Sequence, residues 1–420
     1  MNCATNRLTV TLPSVRSLSL ALAAAAAIAS ASFAGDGQEQ SAPSAAEQRI
    51  SAERARILEQ YLIGPDAAAS LGCTIAWQTS IPLQAAGSLR MVSSSPEAVL
   101  ALDNVNDLTL VRPDSGSRAW TASAADPIDR VIGLGVFAYR SSSETDTRRI
   151  AVMTDALFYA VGFDSGATLA RGRFRHVPNT TPIQRGGFFM YGTSSGMTSW
   201  FNCATMNDSR AAAVDAFRDA SPVVAAPAVG EDTVVAGSTG GGVASLSADS
   251  GRLNWSRALL GPVTASPAIA NGTVFVASDD QYLYAFDLLS GTPMWKYFTQ
   301  TPLKTSPFAA GELVLQDVPG EGLVALTQKP ESQPGGEVRW RRESVAGQPI
   351  GMLGGDVLFW CAKGRMATVI SLKDGQTVRT IALPSVEHLA ADTIERGGFV
   401  AWNADGRVEY LTPKQAVAKN

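Results

Sequence analysis

Histidine is nearly absent: His176 and His388 are the only two in 420 residues. That scarcity weighs against histidine-based metal sites and Ser-His-Asp chemistry, although two histidines far apart in sequence could in principle still meet in space. Cysteine is equally sparse. Beyond Cys3, only Cys73, Cys203 and Cys361 remain, and their spacing fits neither a Cys-x-x-Cys metal or redox motif nor a dense disulfide framework. At most one internal disulfide is possible among these three, and small buried strand residues is the simplest reading. Charge is modest, with 34 basic against 38 acidic residues and a formal net of −4, which gives nucleic acid no electrostatic hold. Helical signals are few as well. Amphipathic spacing occurs at 47–62 (Ile50, Ile57, Leu58, Tyr61, Leu62), ending at Gly64-Pro65, and a short helical insertion is expected at about 209–218.

Long apolar runs are missing except for Leu18 to Ala31, preceded by Arg7 and Arg16 and followed by Ser32-Phe33-Ala34. This is the pattern of a secretory signal cut before Gly35, since a membrane span needs about 20 apolar residues. The run does not end in a lipid-accepting cysteine. The expectation is a signal peptide at 1–34, a polar linker and amphipathic helix at 35–71, and a soluble, exported, monomeric body at 72–415 without a transmembrane segment.

What the chain has in abundance is turns and self-similarity, with 38 glycines and 22 prolines. Ala226-Pro227-Ala228, the strand from Thr233, Ser250-Gly251 and Trp255 return 40 positions later as Ser266-Pro267-Ala268, the strand from Thr273, Ser290-Gly291 and Trp295. Pro307, Gly336 and Trp340 carry the pattern on, with an insertion around 330–335. Worn copies include Gly116 with Trp120, Gly166 with Ala170 in the tryptophan's place, Gly186-Gly187, and Asp374-Gly375 with Arg379 in the tryptophan's place. Each unit reads as four short strands, apolar on both faces as in Val274-Phe275-Val276. A sheet sandwiched between two others needs that pattern. The expected fold is therefore an all-β, eight-bladed propeller of four-stranded antiparallel blades, with seven blades as the alternative count. Trp77, Trp120, Trp255, Trp295 and Trp340, with Gly116, Gly251, Gly291 and Gly336, are the expected blade-docking residues. The last unit lacks an outer strand, and residues 73–79, carrying Trp77, are expected to supply it.

The run Ser-Pro-Ala, Gly-x-Val-Phe-Val, Tyr-Leu-Tyr-Ala-Phe-Asp, Ser-Gly-x-x-x-Trp at 263–296 resembles the pyrroloquinoline-quinone-type (PQQ-like) repeat. Quinoprotein dehydrogenases and the outer-membrane assembly factor BamB share that repeat. The resemblance implies either a periplasmic or cell-surface, non-catalytic scaffold that binds a protein partner, or a quinone-dependent dehydrogenase. The second needs a cofactor lid, which in alcohol dehydrogenases of this kind is a pair of adjacent cysteines, and none are adjacent here. The expectation is thus no catalytic, cofactor-binding or metal residues, and no cofactor. Gly237 and Gly240 to Gly242 read as a hairpin turn, Asp279-Asp280 as turn acids, Arg148-Arg149 and Arg341-Arg342 as solvated rim residues, and Trp360 and Trp402 as core.

Overall fold

The computed structural model describes residues 60–139, 147–215, 220–330, 335–392 and 398–414. These form eight four-stranded antiparallel sheets, so the count is eight rather than seven. Seven sheets use consecutive strands, as in the fifth, where Ala268–Ala270, Thr273–Ser278, Tyr282–Asp287 and Pro293–Phe298 follow one another from the innermost outward. The eighth combines His388–Ala391, Phe399–Trp402 and Arg407–Pro413 with Cys73–Ser80 as its outermost strand. Trp77 is in register with Tyr410 there, as Trp295 is with Ala285 in the fifth blade. The two ends of the chain thus close one sheet, and no blade is left a strand short.

Two-sided burial follows from the ring. All six residues of Thr273–Ser278 are buried, with Val274 and Val276 packed toward blade four and Phe275 and Ala277 toward blade six. The described core accordingly divides into eight clusters, one in each gap between neighbouring blades.

Two expectations need correction. The insertion expected to be helical at 209–218 is a strand, Asn207–Ala213, paired with Met197–Asn202 as the outer strand of blade three; residues 216–219 lie outside the described residues. Its alanines favour a helix in isolation, but completing the sheet overrides that preference. Gly64-Pro65, read as a helix stop, is a start. The helix Pro65–Leu71 has proline in its first turn, where a missing N–H costs nothing, and ends on Gly72 at φ +80°. Residues 47–59 of the expected amphipathic helix, and the expected signal at 1–34, lie outside the described residues. No described helix is long and apolar enough to cross a membrane.

Candidate functional site

Five predicted tryptophans reach from the outer strand of one blade into the next. The indole N–H groups of Trp77, Trp120, Trp255, Trp295 and Trp340 donate to the carbonyls of Pro113, Phe163, Leu288, Gln328 and Leu372 at 2.7–2.9 Å. Each accepting carbonyl opens the turn between third and fourth strands of the neighbouring blade. The ring then lies on that turn's glycine: a Cβ at Gly116 would stand 2.8 Å from the Trp77 ring, and one at Gly375 2.6 Å from Trp340. These glycines hold positive φ, +68° at Gly116 and +65° at Gly291. Sequence reasoning tied each glycine to its own turn, whereas the structure adds a second demand, since the ring of the preceding blade occupies the space a side chain would fill. All five are buried except Trp120, which is half-buried.

Three gaps solve the same problem differently. Between blades two and three the tryptophan position is Ala170, and the turn residue is Met206 at φ +54°, whose side chain packs with Ala170 in one cluster. With no ring arriving, the glycine is not needed. Between blades three and four, Trp200 on the third strand replaces the outer-strand ring and donates to Ala248 O at 2.9 Å, while Arg210 lies over Gly251. Between blades seven and eight, Arg379 faces Gly72, and the helix Pro65–Leu71 with Leu62 and Ile63 fills the gap.

That last gap contains a buried carboxylate. Glu409, fully buried on the closing sheet, accepts the N–H of Ile63 at 3.0 Å and that of Leu62. Gln78 Nε2 donates to Gln60 O at 2.8 Å, and Arg407 Nη1 to Tyr61 O at 3.3 Å. Burial pushes the Glu409 carboxyl up to about 7 against the lowering effect of those N–H donors and Arg407. Because this folded value lies above the unfolded 4.5, the stabilisation is fully present below pH 4.5 and is lost as pH rises through 7. Thermal unfolding across pH 5 to 8 should therefore show a decline that Glu409→Gln reduces, by roughly 3 kcal/mol at most. An identical pH profile in the variant would contradict this.

One face of the ring is built from the turns between second and third strands and the connections between blades. Four successive connections on it each expose one aliphatic side chain: Ile128 at 94%, Val177 at 57%, Val224 at 42% and Leu260 at 91%. Each sits on a braced loop. Asn106 Nδ2 donates to the carbonyls of Asp126 and Asp129 on either side of Ile128. Asp208 accepts the N–H groups of Arg175 and His176 beside Val177. Asn179 Nδ2 donates to Val223 O, and Leu260 N to Asp280 Oδ2. The remaining four connections expose no large hydrophobic residue among those described. Four exposed aliphatic side chains thus fall on successive connections over half of one face, each on a braced loop.

The other singled-out residues have structural partners. Gly240 to Gly242 turn beside Asp215, whose Oδ1 accepts Ser238 Oγ, and Asp280 Oδ2 also accepts the Tyr284 hydroxyl at 2.8 Å. The arginine pairs are not simply solvated: Arg148 lies over Phe163, Arg149 over Tyr139, Arg341 donates to Tyr297 and Arg342 to Gly375 O. Trp360 and Trp402 are buried, with His388 stacked on Trp402 at 4.8 Å. Cys73, Cys203 and Cys361 are free, and burial pushes the Cys73 thiol up to about 11 and Cys203 to about 12. Such thiols are poor nucleophiles.

The family model described as outer membrane protein assembly factor BamB matches residues 190–353. Among solved structures, BamB from Moraxella catarrhalis is similar, with a TM-score of 0.58 and 18% identity over 82% of this chain and 98% of that one. The computationally designed Ika8 protein is similar with a TM-score of 0.56 and 15% identity, over 80% and 99%. No curated protein matches the sequence. The fold is that of an eight-bladed β-propeller, and residues 190–353 are similar to the BamB family model.

Proposed function

We propose that this chain is a non-catalytic, protein-binding scaffold of the cell envelope, exported by segment 1–34 and acting as a monomer in outer-membrane or envelope assembly. The observation that carries the reading is the arc of Ile128, Val177, Val224 and Leu260 on four consecutive braced connections. The family match to an assembly factor supports the setting. The tryptophan-glycine joints serve this role by holding the blades, and so the arc, in fixed relation. The quinoprotein alternative rests on fold analogy alone, and fold analogy does not carry chemistry.

Changing all four arc residues to aspartate should leave the melting transition within a few degrees of the parent, because exposed side chains contribute little to stability. The parent is expected to be held to the membrane fraction by its envelope partner, and the same variant is expected to be released into the soluble fraction. A folded variant that fractionates like the parent would overturn the assignment.

A further inference from the structure

The third strand of blade five differs from its counterparts. Tyr282, Tyr284 and Phe286 occupy alternate positions on the face toward blade four, where blade four has Gly242, Ala244 and Leu246 and blade six has Gly322, Val324 and Leu326. The rings continue into a ladder. Trp255 to Phe286 is 6.0 Å, Phe286 to Tyr284 is 5.7 Å with planes 9° apart, Tyr284 to Tyr282 is 5.7 Å, and Tyr282 to Phe298 is 5.1 Å. Beside this wall, between it and the end of the outer strand of blade four, opens a groove of about 430 Å³. Leu260 stands at its mouth, 91% exposed, and Phe298 at the end of the ladder is 49% exposed.

The charged side chains that line the groove are of one sign. Lys296 and Arg257 line it, and no carboxylate does. Lys296 Nζ sits 4.4 Å from the Tyr282 ring, and Arg257 is anchored through Nε to Gly291 O at 2.8 Å. The nearby acid, Asp280, is turned onto Leu260 N and the Tyr284 hydroxyl. We propose that this groove binds an extended segment of a protein partner bearing apolar side chains at alternate positions with acidic residues between them. Trp255 and Phe286 are buried, so the accessible part of the ladder is Tyr284 in the groove with Tyr282 and Phe298 beyond it. Side chains on one face of an extended chain, repeating at roughly 6.5–7 Å, can lodge against Tyr284 and then Phe298. The intervening carboxylates meet Lys296 and Arg257. The proposal rests on the reading of the chain as a protein-binding scaffold; the groove shares Leu260 with the arc but none of Ile128, Val177 and Val224.

The probe is a terminally blocked hexapeptide alternating aspartate and phenylalanine, titrated calorimetrically into the full chain, with a lysine-for-aspartate peptide as control. Saturable one-to-one binding is expected, about tenfold or more tighter than the control, and weakened by salt. Lys296→Glu should reverse the preference between the peptides, and Phe298→Ser should weaken binding severalfold, while Ile128→Asp with Val177→Asp should leave it intact. The salt dependence is read on the unaltered protein and so does not depend on any variant folding. No saturable binding, equal binding of both peptides, or indifference to Lys296→Glu would overturn the groove proposal without touching the arc. Loss of peptide binding in the variant carrying only Ile128→Asp and Val177→Asp would likewise overturn the groove proposal, since neither residue lines the groove.

Discussion

A chain lacking residues 60–80 should not show the cooperative thermal transition of the full-length protein. This deletion removes the outer strand Cys73–Ser80 from the closing sheet and the helix Pro65–Leu71, with Leu62 and Ile63, from the gap between blades seven and eight. It also strips the backbone partners from Glu409, leaving that buried carboxyl in a water-opened gap. One point change samples the same joint. Trp77→Ala removes a ring that is 7% exposed, packed against Tyr410 at 5.5 Å and seated on Gly116, and should cost about 3–5 kcal/mol by denaturant unfolding. Trp120→Ala should cost distinctly less, because that ring is half-buried. Equal losses at the two positions, or an unaltered transition in the deletion, would refute the closure.

Gly291→Ala is expected to be nearly as damaging, although it adds a single methyl group. The position holds φ +65°, a left-handed conformation that costs a non-glycine residue about 1–2 kcal/mol, and the new Cβ would overlap the Trp255 ring. Displacing that ring also breaks its bond to Leu288 O, so the total should exceed about 3 kcal/mol. Gly186→Ala provides the comparison. It too has positive φ, +55°, but nothing lies within 4 Å of its Cβ position, so its cost should stay near the backbone term of about 1–2 kcal/mol. The gap between blades two and three offers the converse test: Ala170→Trp should be harmful alone and partly rescued by Met206→Gly. Chemical denaturation of these variants separates the backbone contribution from the ring contact. Equal losses at Gly291 and Gly186 would show that the ring does not require the glycine.

The fold was legible because a propeller writes its period into the chain. Pro227, Pro267 and Pro307, or Gly251-Trp255 and Gly291-Trp295, stand at matching offsets in adjacent blades, and the missing outer strand of the last unit pointed to Trp77. Three-dimensional substitutions were not legible. Trp200 performs the docking hydrogen bond from a different strand and so breaks the spacing, whereas Arg379 keeps the spacing but carries no sign of the wedge from the N-terminal side that fills its gap. Met206 in a glycine's position makes sense only once Ala170 is known to send no ring toward it. The strand Asn207–Ala213 was misread because its local preference and its pairing partner disagree. The arc was hidden for another reason. Ile128, Val177, Val224 and Leu260 lie in connections of unequal length, so no periodicity links them, and only the common direction of the inter-blade loops brings them to one face.

The most direct test of the scaffold reading is photo-crosslinking in intact cells from single positions on the two faces. Ile128 and Leu260 represent the arc, and the exposed turn residues Ser115 and Asp374 represent the opposite face. The account predicts one discrete protein adduct shared by Ile128 and Leu260 and absent at Ser115 and Asp374. Adducts of equal strength from both faces, or none from the arc, would contradict it.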